Sequence, residues 1–75
     1  MGQIRNIRLL KEIAIVVKQL RESRNLSQEE VYNEINIHIG RIETGKANLS
    51  VSTLEMLCSY FKISMSDFFK RIENL

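Results

Sequence analysis

The chain has 75 residues, of which 44% are hydrophobic and 27% are charged, so it can form one domain with a single small core and is not a disordered chain. It contains no Pro and only three Gly, which argues against a sandwich or barrel because those folds need many turn residues. The formal net charge of +2 is too small to indicate a nucleic-acid partner by itself, although residues 1–24 carry +4 and residues 25–49 carry −2. We therefore expect one all-α domain over residues 1–75, in which any nucleic-acid surface is made by local geometry.

Cysteine content and hydropathy favour a cytoplasmic protein. Cys58 is the only cysteine, and a small secreted domain would normally need disulfides, so we expect a reducing compartment. The longest apolar run, residues 13–17, is too short to span a bilayer, and the N-terminus does not resemble a signal peptide. His38 and Cys58 lie too far apart in the sequence for a zinc motif, and we predict no metal, cofactor or small-molecule ligand.

Helices 1 and 2 are indicated by an apolar stripe and by a helix-start signal. The stripe predicts helix 1 from about Ile4 to Ser23. Its inward positions would be Ile7, Leu10, Ala14 and Val17. The segment at residues 27–30 fits a capping box, in which the Ser27 hydroxyl accepts a backbone N–H and the Glu30 carboxylate reaches back to the cap. Helix 2 is therefore predicted from Gln28 to about Ile35.

The third helix is predicted between Asn36 and Gly45. Asn36 is a suitable N-cap, which gives a helix from Ile37 to Thr44, and Gly45 falls where a left-handed C-cap would end it. Ile39 and Ile42 lie on one side of such a helix, so both should face the core.

Two serines mark the starts of the last two helices. Ser50 should cap helix 4, from Val51 to Phe61, and Ser64 should open helix 5, from Met65 to about Asn74. The inward side chains are expected to be Leu54, Leu57, Cys58, Phe61, Phe68, Phe69 and Ile72. Since no segment has a strand pattern, the five helices predict an all-α fold.

Three segments follow one another with a characteristic order and spacing. They read Leu20-Arg21, then Leu26-Ser27-Gln28-Glu29-Glu30-Val31, then Arg41-Ile42-Glu43-Thr44-Gly45-Lys46. Together with the stretch at residues 63–69, they resemble the phage-repressor family of Cro and lambda-repressor-like (XRE) proteins over roughly residues 13–70. The resemblance implies a compact five-helix, lambda-repressor-like helix-turn-helix domain. Its third helix would enter the major groove of double-stranded DNA while its second lies across the backbone.

The resemblance also implies a set of backbone contacts to DNA. Gln28, at the start of helix 2, matches the family's phosphate-contacting glutamine, and the free N–H groups at that helix end also favour a phosphate. Lys46 and Asn48 match the loop that grips the neighbouring strand, and Thr44 would add a hydroxyl there.

Two further arginines match the family in different roles. Arg41 matches a position that reaches base edges, where arginine suits bidentate contact with guanine. In the alternative, Arg41 pairs with Glu43 or with a carboxylate of helix 2. Arg21 and Glu43 match a partly buried ion pair that joins helix 1 to helix 3, so the resemblance implies a structural role for both.

The segment between helix 2 and Arg41 is shorter than in most of the family. The missing positions are those of the turn and of the first base-reading side chains. His38 is either a DNA contact or a solvated turn residue. Gly40 costs roughly 1 kcal/mol inside a helix, and it allows either a close approach to DNA or close packing against helix 2. Tyr32, where the family usually has a small residue, either packs over the shortened turn or reaches a phosphate, and we favour packing.

Both ends of the chain carry apolar residues beyond those that a monomer core needs. Those of helix 1 are Ile4, Leu9, Ile15 and Val16, and those of the C-terminal end are Phe69, Ile72 and Leu75. Extra apolar surface on a small domain often marks an interface, so we predict a homodimer. In the alternative, the two ends cover each other within one chain. A two-fold dimer would suit paired DNA half-sites about one helical turn (~34 Å) apart.

These observations predict a sequence-specific, DNA-binding transcriptional regulator, a small dimeric repressor or autoregulator. Its partners would be double-stranded DNA and a second copy, with no membrane involved. An alternative is a protein-interaction module that kept the fold and lost specific DNA reading. An enzyme is disfavoured because the sequence has no nucleophile pairing, no phosphate-binding glycine loop and no metal cluster.

Overall fold

The computed structural model describes residues 5–75, which form five helices. They are α1 (Ile7–Ser23), α2 (Gln28–Ile35), α3 (Ile39–Ile42), α4 (Val51–Tyr60) and α5 (Met65–Glu73). No strand occurs in this part of the chain, which confirms the predicted all-α class. No helix within residues 5–75 is long and apolar enough to cross a membrane.

Four of the helices begin at a residue whose side chain accepts a backbone N–H. The serine caps predicted at Ser27, Ser50 and Ser64 are confirmed, with bonds of 2.9–3.0 Å to the third residue of each helix. The capping box of α2 is complete, because the Ser27 N–H also donates to the Glu30 carboxylate at 2.9 Å. In α1, the Asn6 side chain accepts the Leu9 N–H at 3.0 Å, so the helix begins at Ile7. Ile4, the predicted start, lies outside the described residues.

The predicted bounds of the third helix and its cap are wrong. The helix covers Ile39–Ile42 only, and Asn36 does not cap it but ends α2 in a left-handed conformation with φ of 59°. The Asn36 N–H donates to the Tyr32 carbonyl at 2.8 Å. Because the shortened segment must reverse direction within residues 36–38, Asn36 is used to terminate one helix and cannot start the next. Gly45 has a positive φ of 76° at the end of the following turn, as predicted.

All five helices contribute side chains to the core, in which α1 packs against α3 and α5, α2 against α3, and α4 against α5. The side chains that are most completely buried are Val16, Val17, Val31, Ile39, Leu57 and Phe68. Ile39 and Ile42 both face inward, as predicted, and are 1% and 5% exposed.

Three expectations about apolar positions need correction. Val16 is fully buried and not surplus, because α1 packs against both α3 and α5 and so needs an apolar surface wider than one stripe. Ile7 is the first residue of α1 and is exposed, because the buried face of this helix begins one turn later, at Leu10. Phe69 is 37% exposed and only partly joins the core, whereas Ile72 is buried.

Candidate nucleic-acid interface

An ion pair joins α1 to the end of α3. Arg21 donates from Nε to Glu43 Oε2 at 2.7 Å and from Nη2 to Oε1 at 3.0 Å. The two side chains are only 11% and 5% exposed, and the bond to Glu43 raises the pKa of Arg21. The third guanidinium nitrogen donates to the Leu26 carbonyl at 2.6 Å, so one side chain ties together α1, the turn before α2 and the end of α3. Arg21 and Glu43 therefore lie where a structural pair would hold α3 in place.

Gln28 lies across α3 and shares the same carboxylate. Its Nε2 donates to Glu43 Oε1 at 3.0 Å. Its own Oε1 lies 3.0 Å from the position that a Cβ would occupy on Gly40. A side chain at Gly40 would displace the Gln28 amide, so the geometry favours the packing explanation for this glycine. Gln28 remains exposed at the start of α2, where a phosphate could reach it.

Arg41 lies on the exposed side of α3. Its neighbours Ile39 and Ile42 are buried, which turns Arg41 away from the core. Within residues 5–75 its guanidinium pairs with no carboxylate, since Glu43 is engaged by Arg21 and Gln28. The ion pair considered as an alternative role for Arg41 is therefore not formed.

The turn after α3 carries the remaining residues predicted to touch the backbone. The Thr44 hydroxyl donates to the Arg41 carbonyl at 2.5 Å and accepts the Lys46 N–H at 3.2 Å, so it braces the turn. Lys46 and Asn48 have exposed side chains on the same loop. Gly45 is buried against α1, and a Cβ there would stand 3.1 Å from Lys11 Cγ.

Two lysines of α1 lie beside this turn and were not singled out from the sequence. Lys11 and Lys18 line a groove of about 390 Å³ together with Thr44 and Gly45. Their seven-residue spacing places them on one helix face, and the excess of basic residues in the first 24 positions was the available signal. Only packing of the turn onto α1 brings these charges next to Thr44.

Tyr32 and His38 stack over the shortened segment. Their ring centroids are 4.4 Å apart with an angle of 29° between the ring planes. Both side chains are exposed, Tyr32 by 36%. Tyr32 therefore packs over the turn, as favoured from the sequence, and it does so on His38.

A helix-turn-helix family model matches residues 17–68, which include every residue described in this site except Lys11. The chain belongs to the helix-turn-helix family. The family resemblance expected from the sequence is therefore confirmed. In the helix-turn-helix motif of this chain, α2 is the first helix and α3 is the second.

The fold is similar to that of a restriction-modification controller protein. A crystal structure of a point mutant of the restriction-modification controller protein C.Esp1396I (trigonal form) superposes with a TM-score of 0.80. The two sequences are 27% identical, over 89% of this chain and 93% of the controller. No curated protein sequence matches the chain. Among residues 5–75, no group of three or more His, Cys, Asp or Glu side chains could hold a metal ion.

Proposed function

We propose that this chain regulates transcription by binding a specific DNA sequence as a small homodimer, in the role of a repressor or autoregulator. The observation that carries the proposal is the exposed guanidinium of Arg41, which pairs with no carboxylate among residues 5–75 and lies on the second helix of a helix-turn-helix motif. In such motifs the second helix lies in the major groove, where arginine can make two bonds to the O6 and N7 atoms of guanine.

The residues around Arg41 would fix the position of α3 on the duplex. Gln28 would contact a phosphate from the start of α2, while Lys46, Asn48 and the loop braced by Thr44 would contact the backbone beyond α3. Such contacts set the register without reading sequence. The reading of bases would then depend on His38 and Arg41.

The proposed dimer rests on apolar surface that the single chain leaves uncovered. The two ends cover each other only in part, because Ile72 is buried near Leu9 while Phe69 is 37% and Leu75 is 54% exposed. Phe69 also borders a groove of about 260 Å³ between α1 and α4. A second copy would cover this surface and supply the other half-site contact.

Selection from a random duplex library, followed by titration at two salt concentrations, tests the DNA-binding proposal. We expect a palindromic site and a steep loss of affinity with salt. Arg41→Ala should weaken binding to the selected duplex by about 1–3 kcal/mol and relax the preference at one base pair. Arg71→Ala removes the same charge from the exposed face of α5 and is the matched control.

Weak, sequence-blind binding that Arg41→Ala leaves unchanged would reject the proposal and favour a protein-interaction module. Light scattering at micromolar protein tests the dimer separately. A monomer alone would reject the dimer and leave the DNA-reading result to stand on its own.

A further inference from the structure

The stacked pair of Tyr32 and His38 lies at the turn between the two helices of the motif. Tyr32 belongs to α2 and His38 immediately precedes α3, with a three-residue gap between the two helices. Their ring centroids are 4.4 Å apart, close to the range of about 4.5–7 Å in which aromatic rings attract each other. The pair therefore links the two helices of the motif across its turn.

The stack orients the imidazole of His38. The side chain of His38 makes no capping bond to α3, and within residues 5–75 it forms no hydrogen bond or ion pair. Tyr32 therefore supplies the interaction that restricts the ring. An imidazole covered on one face by another ring keeps both nitrogens available at its edge, one as a donor and one as an acceptor in the neutral form.

His38 and Arg41 share one side of the α3 segment. The Arg41 N–H donates to the His38 carbonyl at 3.1 Å, so the two residues lie one helical turn apart. Ile39 and Ile42 occupy the buried side, and both His38 and Arg41 are exposed. A duplex that meets Arg41 would therefore meet His38 next to it.

We propose that Tyr32 is a positioning residue, which holds His38 by ring stacking against a base edge of the DNA that α3 meets. The inference rests on the proposed function. Its chemical target is a hydrogen-bond acceptor on a base edge in the major groove, because the imidazole N–H can donate to N7 of a purine, O6 of guanine or O4 of thymine.

Four single variants test the inference on the intact chain with the selected duplex and a panel of its single-base substitutions. His38→Ala should weaken binding by roughly tenfold and relax the preference at a base pair next to the one read by Arg41. Tyr32→Leu should relax the preference at the same base pair, whereas Tyr32→Phe should keep it because the ring remains. Asn33→Ala, an exposed change on α2, is the matched control.

Two further measurements separate positioning from general damage. The salt slope should stay unchanged in all four variants, because none removes a phosphate contact. The NMR signals of the His38 ring protons should move downfield in Tyr32→Leu, because the ring that shields them is gone, and not in Tyr32→Phe. If Tyr32→Leu fails to fold, Tyr32→Gln, which also removes the ring from this exposed position, takes its place in both measurements.

An unchanged base preference in His38→Ala would overturn the inference, and so would an equal loss in Tyr32→Phe and Tyr32→Leu, which would assign the effect to the hydroxyl group. Failure of the inference is distinguishable from failure of the proposed function. If Arg41→Ala relaxes the base preference and His38→Ala does not, only the inference is wrong.

Discussion

The helices α5 and α3 differ in how far their own sequences support them. α5 has nine residues, begins at a serine cap and carries Lys70 and Arg71 in its last turn, where cations favour the helix dipole. α3 has four residues, and its N-cap residue His38 makes no side-chain cap bond. A single turn is too short to be stable by itself. Comparison of the two helices shows that the helix proposed to read DNA is held by tertiary contacts and not by its own sequence.

The largest expected effect comes from the buried side of α3. Ile39→Ala should lower the free energy of unfolding by about 2–5 kcal/mol, since the side chain is 1% exposed and its removal leaves a cavity. Ile7→Ala removes the same atoms from a side chain that is 60% exposed, and it should change stability by less than about 0.5 kcal/mol. Urea denaturation measures both, and equal losses would contradict the burial assigned to α3.

The next effect comes from the ion pair between α1 and α3. Arg21→Ala should lower the free energy of unfolding by about 2–4 kcal/mol. This loss is at or below that expected for breaking a fully buried pair, because the Arg21 side chain is 11% exposed. The substitution leaves the Glu43 carboxylate and the Leu26 carbonyl without their guanidinium partner. Denaturation of Arg21→Ala, Glu43→Ala and the double variant checks this. Losses that simply add would mean that the two side chains do not act as a pair.

The difference in capping between α5 and α3 predicts smaller losses of stability. Ser64→Ala should cost about 1 kcal/mol, because its hydroxyl accepts the Asp67 N–H at 2.9 Å. His38→Ala removes no cap bond from α3 and should cost less than about 0.5 kcal/mol. Thermal unfolding of the two variants gives the comparison. A larger loss for His38→Ala would show that the Tyr32 stack supports the fold itself.

The smallest expected effect is the pH dependence of the stability that the capping box at the start of α2 contributes. The Ser27 N–H bond to the carboxylate lowers the pKa of Glu30 below its ordinary value of 4.5. The stability gained from this bond is therefore present above pH 4.5 and is lost as the pH falls through the lowered pKa. Glu30→Gln should flatten this part of the profile. Urea midpoints measured from about pH 6 to about pH 3 test it, and superimposable profiles for the two proteins would contradict it.

Much of the fold could be predicted because its signals are local. Ser27, Ser50 and Ser64 each satisfy a backbone N–H within three residues, so the sequence places the starts of α2, α4 and α5 correctly. The ends of these helices also agree with prediction within one residue. The order of the motif segments was enough to indicate the helix-turn-helix family.

The sequence indicated part of the residue group that the structure brings together. The sequence named Arg21, Glu43, Gln28 and Arg41, and the structure brings the first three into one hydrogen-bonded group and leaves Arg41 exposed beside them. The sequence did not indicate Lys11, because helical spacing shows which residues share a face of a helix but not which segment packs against that face.

The sequence by itself determined the serine caps of α2, α4 and α5, the fold class and the family, since each depends on residues that are near neighbours in the chain or on their order. Tertiary structure decided that Asn36 would end α2, that Gln28 would lie across Gly40, and that Tyr32 would stack on His38. These features arise where the chain must reverse within three residues, and there the fit of α3 onto α1 and α2 outweighs local preference.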